Sequence, residues 1–407
     1  MSPAFQAPRG THDVLPGDHL WWHIIRTIEG QAAQYGWRRI QTPGFEDTAL
    51  FERTSGEASD VVHKEMYTFD DRSGRSLTLR PEGTAPIARA YVEHGMGQEP
   101  QPVKAYTIAP MYRYGRPGRG RYREHWQLSL EAIGSADPAI DAEVLQFYME
   151  LLRRLGVTDW ELHLNSIGDE NCRPQYVARL TEWLDAHPEL VDEEVEHKRQ
   201  TSVLQVFDLK NERLRAALAD APKIGESLCD ACRAHFDAVR GYLDAYGVPY
   251  VLDATLVRGL DYYTRTTFEF VGPEENVNST ICGGGRYDGL VEAVGGPSVP
   301  GIGFGAGLER LQLAIEREGG APEAPPLDVF VVVEDPSLRA AVLPALARWR
   351  AAGRAADTDY AGRSMKGQLT QAQRSGAATI VIAKADGTYD LRRRGRDDVN
   401  VQSLDEV

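Results

Sequence analysis

The segment Lys104-Ala-Tyr-Thr-Ile-Ala-Pro-Met-Tyr-Arg113-Tyr-Gly-Arg-Pro-Gly-Arg-Gly-Arg-Tyr-Arg123-Glu-His-Trp-Gln-Leu-Ser-Leu-Glu-Ala-Ile133 contains two strand-like runs joined by a basic, glycine-rich turn. Residues 103–111 and 122–133 are rich in the aromatic, β-branched and aliphatic side chains that strands favour. Consecutive strands joined by a link of this kind pair antiparallel. We therefore predict a hairpin that belongs to an antiparallel sheet.

The second of these strands separates an apolar face from a polar one. Period-two alternation places Trp126, Leu128 and Leu130 on one face, and the other face carries Arg123, Gln127, Ser129 and Glu131. Around the turn lie five arginines: Arg113, Arg116, Arg119, Arg121 and Arg123. Guanidinium groups suit phosphate oxygens because their planar fork donates two hydrogen bonds and neutralises charge. The alternative is a solvated hairpin with a basic loop, but the polar residues beneath five arginines favour a binding site.

Elements on either side extend this hairpin into a larger domain. Residues 38–42 and 76–79 are predicted strands, and before them apolar residues recur at helical spacing from Leu20 to Tyr35, followed by Gly36. Strands joined by loops, without a regular alternation of strand and helix, predict an α+β fold with an antiparallel sheet flanked by helices.

The remaining chain predicts an insertion and a second domain. Residues 172–246 are mainly helical and charged, so we expect a helical insertion into a first domain that spans residues 1–325. Residues 317–326 have the glycine- and proline-rich composition of a linker. After it, residues 328–407 begin with alternating strands and helices, which predicts a small α/β domain.

Composition limits the classes of function. The 407 residues carry a formal net charge of −15, which argues against a general nucleic-acid coat and leaves room for local basic patches. The longest apolar runs are far shorter than the roughly 20 residues that cross a bilayer. We therefore expect no membrane partner. Four cysteines over this length do not form a disulfide framework, so we expect a reducing, cytoplasmic location.

The segment Gly301-Ile-Gly-Phe-Gly-Ala-Gly-Leu-Glu-Arg310-Leu leads from a glycine-rich strand into a helix. Its first six residues satisfy the dinucleotide fingerprint G-x-G-x-x-G/A. We reject a dehydrogenase because no strand–helix–strand unit surrounds these glycines and a proline-rich linker lies where the acidic residue is required. The glycines instead allow a ligand to approach the backbone, and Arg310 adds a positive charge near a helix N-terminus.

Two further motifs make the interpretation specific. They are Leu256-Val-Arg258-Gly-Leu-Asp-Tyr262-Tyr263-Thr-Arg-Thr and Gly283-Gly-Gly-Arg286-Tyr287-Asp-Gly-Leu, and both resemble the signature motifs of histidyl-tRNA synthetases. Residues 42–69, 113–131 and 301–311 resemble the three class II motifs, and Arg80-Pro-Glu82-Gly-Thr84 resembles the amino-acid loop of that family. The matches follow the family's order, although His125-Trp126-Gln127 replaces the more usual Phe-His-Gln.

The resemblance implies a class II aminoacyl-tRNA synthetase, a ligase of protein biosynthesis that activates L-histidine with ATP and transfers it to its tRNA. It implies that Arg113 and Arg258 are the catalytic residues, acting on the α-phosphate and the histidine carboxylate. Arg113, Arg121 and Arg310 would bind ATP, and Mg²⁺ would arrive with the nucleotide, with Glu309 as a nearby ligand. The residues expected to bind histidine are Glu82, Gly83, Thr84, Arg113, Gln127, Glu131, Arg258, Tyr262, Tyr263 and Tyr287.

The resemblance also implies partners. Residues 1–325 would be the catalytic domain, and residues 328–407 an anticodon-binding domain whose basic residues include Arg363, Lys366 and those of 392–396. The first class II motif implies a homodimer. The rival function is the synthetase-like regulatory subunit of ATP phosphoribosyltransferase, but such proteins usually lack the C-terminal domain and the phosphate-binding arginines that this chain keeps.

Cys229-Asp-Ala-Cys232 with His235 invites a zinc assignment. Structural zinc sites usually combine two close pairs of ligands, and the sequence offers no second close pair beside this one. The surroundings are also predicted to be helical. We therefore expect no protein-bound structural metal.

Overall fold

A computed structural model describes residues 5–56, 59, 61–209, 211–273, 280–320, 326–393 and 395–407. The chain divides into two compact units, Met1–Pro322 and Glu323–Val407. Within the described residues, no helix combines the length and the apolar character needed to cross a membrane. Residues 321–325 of the predicted linker lie outside the described residues, and its first residue, Arg317, ends a helix.

The first unit contains a large, mainly antiparallel sheet. Its strands, in chain order, are β1 (Arg38–Arg39), β5 (Val103–Tyr112), β6 (Glu124–Ile133), β7 (Glu161–Ser166), β8 (Val251–Leu252), β9 (Thr264–Val271), β10 (Thr280–Arg286) and β11 (Gly301–Gly307). The spatial order in the described chain is β1-β5-β6-β11-β10-β9-β7-β8. A smaller sheet contains β2 (Phe45–Asp47), β3 (Tyr67–Asp70) and β4 (Ser76–Leu79), in the spatial order β2-β4-β3. The predicted α+β class is confirmed.

Helices cover this sheet and form the insertion. Those outside the insertion are α1 (His19–Gln34), α2 (Thr48–Ser55), α3 (Thr84–Glu93), α4 (Pro138–Arg154), α9 (Leu290–Ala293) and α10 (Leu308–Arg317). Those inside it are α5 (Arg173–Asp185), α6 (Glu193–Thr201), α7 (Glu212–Ala217) and α8 (Asp230–Tyr246). The insertion has its own apolar cluster, but Val239 and Leu243 at the end of α8 are buried in the main core.

The central hairpin forms as predicted. β5 and β6 pair antiparallel from Val103 opposite Ile133 to Tyr112 opposite Glu124. Leu128 and Leu130 lie in the main core, as the alternation requires. The polar side chains Gln127, Ser129 and Glu131 of the opposite face are buried as well, so the alternative of a solvated hairpin does not describe β6.

Strand β1 is shorter than the predicted strand at residues 38–42. Only Arg38 and Arg39 pair with β5 in the ladder. Beyond them, the carbonyls of Thr42 and Pro43 accept hydrogen bonds from Arg80 Nη1 at 2.9 and 3.1 Å. The Ile40 amide still donates to Tyr106 of β5 at 2.8 Å, whereas the Thr42 and Pro43 carbonyls bond the buried Arg80 guanidinium instead of a strand.

The second unit alternates strands and helices before it ends in a hairpin. Its elements are β12 (Val329–Val333), α11 (Arg339–Ala351), β13 (Ala356–Thr358), α12 (Met365–Arg374), β14 (Thr379–Ala383), β15 (Tyr389–Arg393) and β16 (Val399–Val401). Within the described residues they form a five-stranded sheet, ordered β13-β12-β14-β15-β16. The first five elements match the predicted alternation within a few residues. The antiparallel strands β15 and β16 were not predicted, because β15 is short and mostly polar and β16 has only three residues.

Candidate functional site

A cavity of about 280 Å³ lies over the polar face of β6 and the neighbouring ends of β10 and β11. All twelve site residues predicted from the sequence are described, and nine of them line it: Glu82, Thr84, Arg113, Arg121, Gln127, Arg258, Tyr262, Tyr263 and Arg310. Gly83, Glu131 and Tyr287 do not line the cavity. Segments distant in sequence therefore meet at one site.

The arginines converge on one side of this cavity. Burial lowers the pKa of Arg310, and the positive charges of Arg121, Arg113 and Arg258 lower it further. Backbone carbonyls hold two of these side chains, because Arg310 Nη1 donates to Thr280 at 2.6 Å and Arg113 Nε donates to Pro81 at 2.7 Å. Mutually repelling cations held in place form a site that an anion stabilises.

Carboxylates accompany two of the arginines. Arg258 pairs with Glu269, whose other oxygen accepts from Thr280 Oγ1 at 3.0 Å. Arg121 Nη2 lies 2.9 Å from Glu65 Oε1. These contacts hold the guanidinium groups near the cavity, and an anionic ligand must compete with both carboxylates for them.

Glycines on β10 and β11 make room for the functional side chains. A Cβ at Gly283 would lie 2.6 Å from Arg258 Nη2, and one at Gly305 would lie 2.8 Å from Gln127 Nε2. A Cβ at Gly303 would overlap the Glu131 carboxylate. The glycines of residues 301–311 were predicted to admit a ligand to the backbone, but Gly303 and Gly305 admit side chains of the protein, as Gly283 does.

In the predicted amino-acid loop, residues 80–84, the Glu82 side chain binds the first backbone amides of helix α3. Glu82 accepts hydrogen bonds from the backbone amides of Thr84 and Ala85, at 2.6 and 2.9 Å, where α3 begins. Burial raises the pKa of Glu82, and these two amides oppose the shift. Gln127 lines the cavity, and its Nε2 donates to Ser129 Oγ at 2.8 Å.

The three remaining predicted residues lie directly beneath the cavity. Glu131 accepts from Thr84 Oγ1 at 2.7 Å and from Tyr287 Oη at 2.5 Å, so these two side chains enclose its carboxylate. Gly83 lies against Ser129, whose hydroxyl would overlap any Cβ there. Glu131 and Tyr287 therefore support the lining residues, since Glu131 bonds Thr84 directly.

Tyr262 and Tyr263 form an aromatic wall of the cavity. The rings of Tyr262 and Tyr263 lie 4.6 Å apart, and that of Tyr262 lies 5.9 Å from the Tyr287 ring. Burial raises the pKa of all three phenols, so they remain neutral hydrogen-bonding groups at neutral pH. Such a wall suits a flat, polar ring.

Several lining residues were not predicted as binding residues. His125 shares the polar face of β6, and its pKa falls to about 3 because of burial and the charge of Arg113, so it is neutral at pH 7. The same alternation that identified Gln127 could have identified His125. Tyr122, Leu260 and Cys282 also line the cavity, but no pattern in the sequence distinguishes them.

Glu309 is the acidic residue best placed for a cation. Its Oε1 accepts from the Trp126 amide at 2.8 Å, and its buried Oε2 has no hydrogen-bond partner among the described residues. Burial raises the pKa of Glu309 to about 7. A carboxylate oxygen facing a nucleotide's phosphates is the kind of ligand that Mg²⁺ uses.

Cys229 and Cys232 lie at the start of helix α8, as predicted, but the prediction that no second ligand pair accompanies them is wrong. A second pair, Asp169 and Cys172, lies beside them in space although not in sequence. His235, the third residue of the sequence motif, instead bonds Asp141 at 2.9 Å.

The wild-type protein is expected to lose stability as pH rises from 4.5 to about 8, and Glu131→Gln is expected to remove that loss. Burial raises the pKa of Glu131 to about 8, above its unfolded value of 4.5, so the unfolded chain binds fewer protons between these two pH values. Wild-type stability therefore falls as pH rises through this window, by on the order of a few kcal/mol for a shift of this size.

Urea unfolding at pH 5 and pH 8.5 measures the effect. Glu131→Gln should lose less unfolding free energy between the two pH values than the wild type does. Other titrating groups, including Glu309, are present in both proteins and cancel in this comparison. Equal losses in the two proteins would contradict the assignment.

The comparisons with known proteins agree with one another. A family model described as histidyl-tRNA synthetase matches residues 10–311. A curated histidine–tRNA ligase of Moorella thermoacetica is 47% identical over 402 residues, which cover 98% of this chain and 93% of that protein. The crystal structure of apo S. aureus histidyl-tRNA synthetase has a TM-score of 0.82 and 36% identity, and the match covers 98% of each chain.

A more distant structure bears on the rival function. It is described as an ATP phosphoribosyltransferase regulatory subunit/histidyl-tRNA synthetase from Bacillus halodurans C, with a TM-score of 0.67 and 22% identity. The match covers 95% of this chain and all of that one. At this identity the likeness establishes the fold alone and does not favour a regulatory role.

Proposed function

Since the chain belongs to the histidyl-tRNA synthetase family and is a class II histidine–tRNA ligase, we propose that the cavity over β6, β10 and β11 is where ATP and histidine react. One observation carries this proposal: Arg113, Arg258 and Arg310 converge beside Glu82, Thr84 and Gln127. The arginines provide an anion site, and the polar residues provide an adjacent site for an ammonium group.

In the proposed first step, a histidine carboxylate oxygen attacks the α-phosphorus of ATP. The bond to the β-phosphate oxygen breaks, and its electron pair leaves with pyrophosphate. No general base is needed because the carboxylate is already ionised. Arg113 and Arg258 hold the two reacting anions together and stabilise the charge that grows at phosphorus. Arg310 binds the outer phosphates, and Arg121 assists in binding ATP.

Mg²⁺ is proposed to enter with ATP. The buried, unpartnered Oε2 of Glu309 beside the arginines supports this because Mg²⁺ takes one or two carboxylates together with substrate phosphates. When bound, the ion supplies additional positive charge for the pyrophosphate that leaves.

Histidine recognition is proposed to use the polar wall and floor of the cavity. Glu82, Thr84 and Gln127 would hold the α-ammonium, and Tyr262, Tyr287 and Gly83 would shape the pocket. Glu131 and Tyr263 would read the two ring nitrogens. Glu131 is fully buried and Thr84 and Tyr287 each donate to one of its oxygens, so contact with the imidazole requires these side chains to move aside.

In the proposed second step, the 3′ hydroxyl of histidine tRNA attacks the histidyl-adenylate carbonyl, and AMP leaves. Residues 1–325 would carry out both steps, and residues 328–407 would bind the anticodon. Arg363, Lys366 and basic residues of 392–396 are the proposed contacts, although residue 394 lies outside the described residues. Arg363 and Arg392 pair with Asp359 and Asp398, so phosphates would have to displace these carboxylates.

A homodimer and a cytoplasmic location complete the proposal. Phe45 and Phe69 are half exposed on the small sheet, within the first class II motif, and such apolar side chains suit a subunit interface. The described cysteines carry free thiols, which suits a reducing compartment.

Histidine-dependent exchange between ATP and labelled pyrophosphate, followed by charging of purified tRNA, tests the proposed function. Exchange is expected with L-histidine and to be lower by about 10⁴-fold or more with phenylalanine, which lacks the ring nitrogens. Exchange without tRNA charging would contradict the second step, and failure of both reactions would contradict the whole proposal.

A further inference from the structure

Four side chains that commonly bind metals meet at the base of the insertion. Asp169 and Cys172 lie where the chain leaves β7 for α5, and Cys229 and Cys232 lie at the start of α8. One potential ligand atom from each lies within 4.8 Å of the other three. Asp169, Cys172 and Cys232 are buried, so this group is enclosed by the protein.

We propose that these residues form a tetrahedral site for one Zn²⁺ ion, with three thiolates and one carboxylate as ligands. Zn–S bonds of about 2.3 Å place tetrahedral ligands roughly 3.8 Å apart, so a small contraction of the observed group completes the site. Both pairs have the two-residue spacing typical of structural zinc sites. Thiolates select soft or borderline ions, which excludes Mg²⁺ and Ca²⁺.

Existing contacts already orient these ligands. Cys172 Sγ lies 3.6 Å and Cys229 Sγ lies 4.0 Å from Asp169 Oδ1. The Asp169 amide donates to Cys172 Sγ at 3.4 Å. A Cβ at Gly168, whose φ is +65°, would lie 2.6 Å from Cys172 Sγ, so only glycine lets the thiol fold back this closely.

A cation balances the charge of the proposed ligands. Three thiolates and a carboxylate exceed the charge of Zn²⁺, and Arg265 Nη2 lies 3.2 Å from Asp169 Oδ2. Arg265 has φ +50°, a left-handed conformation that is costly for a residue with a Cβ. Its amide donates to Gly168 at 2.7 Å, which fixes that conformation beside the ligands. Such partners of a ligand set its orientation.

A cluster of neutral thiols, an iron–sulfur cluster and a disulfide each fit the same residues less well. Neutral buried thiols would pack as small apolar groups. The ion pair of Asp169 with Arg265 and its hydrogen bond from the Asn171 amide hold the carboxylate without a metal, but they do not require three thiols to gather within 4.8 Å of it. Ligand atoms this close together leave space for a single ion and not for an iron–sulfur cluster. A disulfide would use two of the three cysteines and leave the third beside Asp169.

The site would connect the insertion to the histidine pocket. Arg173, next to Cys172, donates from Nη2 to the carbonyls of Tyr263 at 2.6 Å and Gly168 at 3.1 Å. Tyr263 lines the cavity, and Arg265 lies two residues beyond it. This consequence rests on the proposed function, whereas metal binding itself does not.

Metal analysis of the purified full-length chain, expressed with zinc and handled without chelators, tests the proposal. About one zinc per chain is expected. Exchange with Co²⁺ should produce the visible bands of tetrahedral cobalt together with thiolate-to-cobalt charge transfer. Zinc well below one per chain, with no thiolate signature on adding Zn²⁺ or Co²⁺ to the reduced protein, would overturn it, as would a disulfide between these cysteines in protein from a reducing cytosol.

Variants identify the ligands without relying on synthetase activity. Cys232→Ser and Asp169→Ala should each lower zinc affinity by at least 10-fold in a chelator competition, whereas Asp169→Cys should retain one zinc. Cys282→Ala changes a cysteine outside the cluster and should retain one zinc as well. Equal affinities in Cys232→Ser and Cys282→Ala would refute the assignment, and wild-type affinity in Asp169→Ala would exclude Asp169 as a ligand.

Discussion

Arg258→Ala is expected to slow histidine-dependent pyrophosphate exchange by about 10³-fold or more, with a much smaller loss of histidine binding. The reason is the position of the guanidinium among the converging arginines, where it would stabilise charge that develops on the α-phosphate in the transition state. Steady-state exchange measures the rate, and calorimetry measures histidine affinity in the absence of ATP.

Arg258→Ala also leaves the Glu269 carboxylate without its ion-pair partner, so a matched control is needed. Glu269→Gln removes the same ion pair and keeps Arg258, so it should retain far more exchange than Arg258→Ala. Arg258→Lys restores a charge without the planar fork and is expected to recover part of the rate. Near-normal exchange in Arg258→Ala would exclude a catalytic role for this residue.

Arg286→Leu is expected to reduce the free energy of unfolding by about 3–5 kcal/mol, because it leaves a buried charge without its main partner. Arg286 and Asp141 are both fully buried and form an ion pair. His235 and Thr266 also donate to Asp141, at 2.9 and 2.7 Å. Burial opposes ionisation of Asp141, but His235 and Arg286 outweigh it and lower the Asp141 pKa. Urea unfolding at pH 7 measures the loss.

Two further variants separate charge from packing. Asp141→Asn combined with Arg286→Leu removes the uncompensated charge, so the double variant should be more stable than Arg286→Leu alone. Arg38→Leu breaks an exposed pair with Glu99 in the same unit and should cost less than about 1 kcal/mol. If Arg286→Leu cost no more than Arg38→Leu, the buried pair would not hold this part of the fold together.

Much of the fold could be predicted because it depends on local patterns. The alternation along β6 correctly separated the core residues Leu128 and Leu130 from the polar face that bears Gln127. Strands β12 and β14 of the second unit were also clear, since each is a nearly continuous apolar run. Alternation and residue chemistry identified Gln127, Arg113, Arg121 and Arg310 as binding residues, but their meeting with Arg258 at one site was predicted from resemblance, because spacing alone does not bring Arg113 to Arg258.

What could not be predicted depends on contacts between distant segments. Asp169 and Cys229 are 60 residues apart in sequence, and the fold of the insertion brings them together. The Thr42 and Pro43 carbonyls bond Arg80, which is 38 residues from Thr42 in sequence, rather than a neighbouring strand. The enclosure of Glu131 beneath Thr84 requires the register of β6 against its neighbours and the start of α3, neither of which the sequence states.

Helix α8 belongs partly to the insertion and partly to the sheet domain, so the insertion is not an independent module. Its first turn holds Cys232 in the apolar cluster of the insertion, whereas Val239 and Leu243 complete the core of the larger sheet domain. A deletion that removed residues 172–246 entirely would therefore expose that core to water. An engineered minimal enzyme should keep the last three turns of α8, and so should any fusion that exchanges this region between relatives.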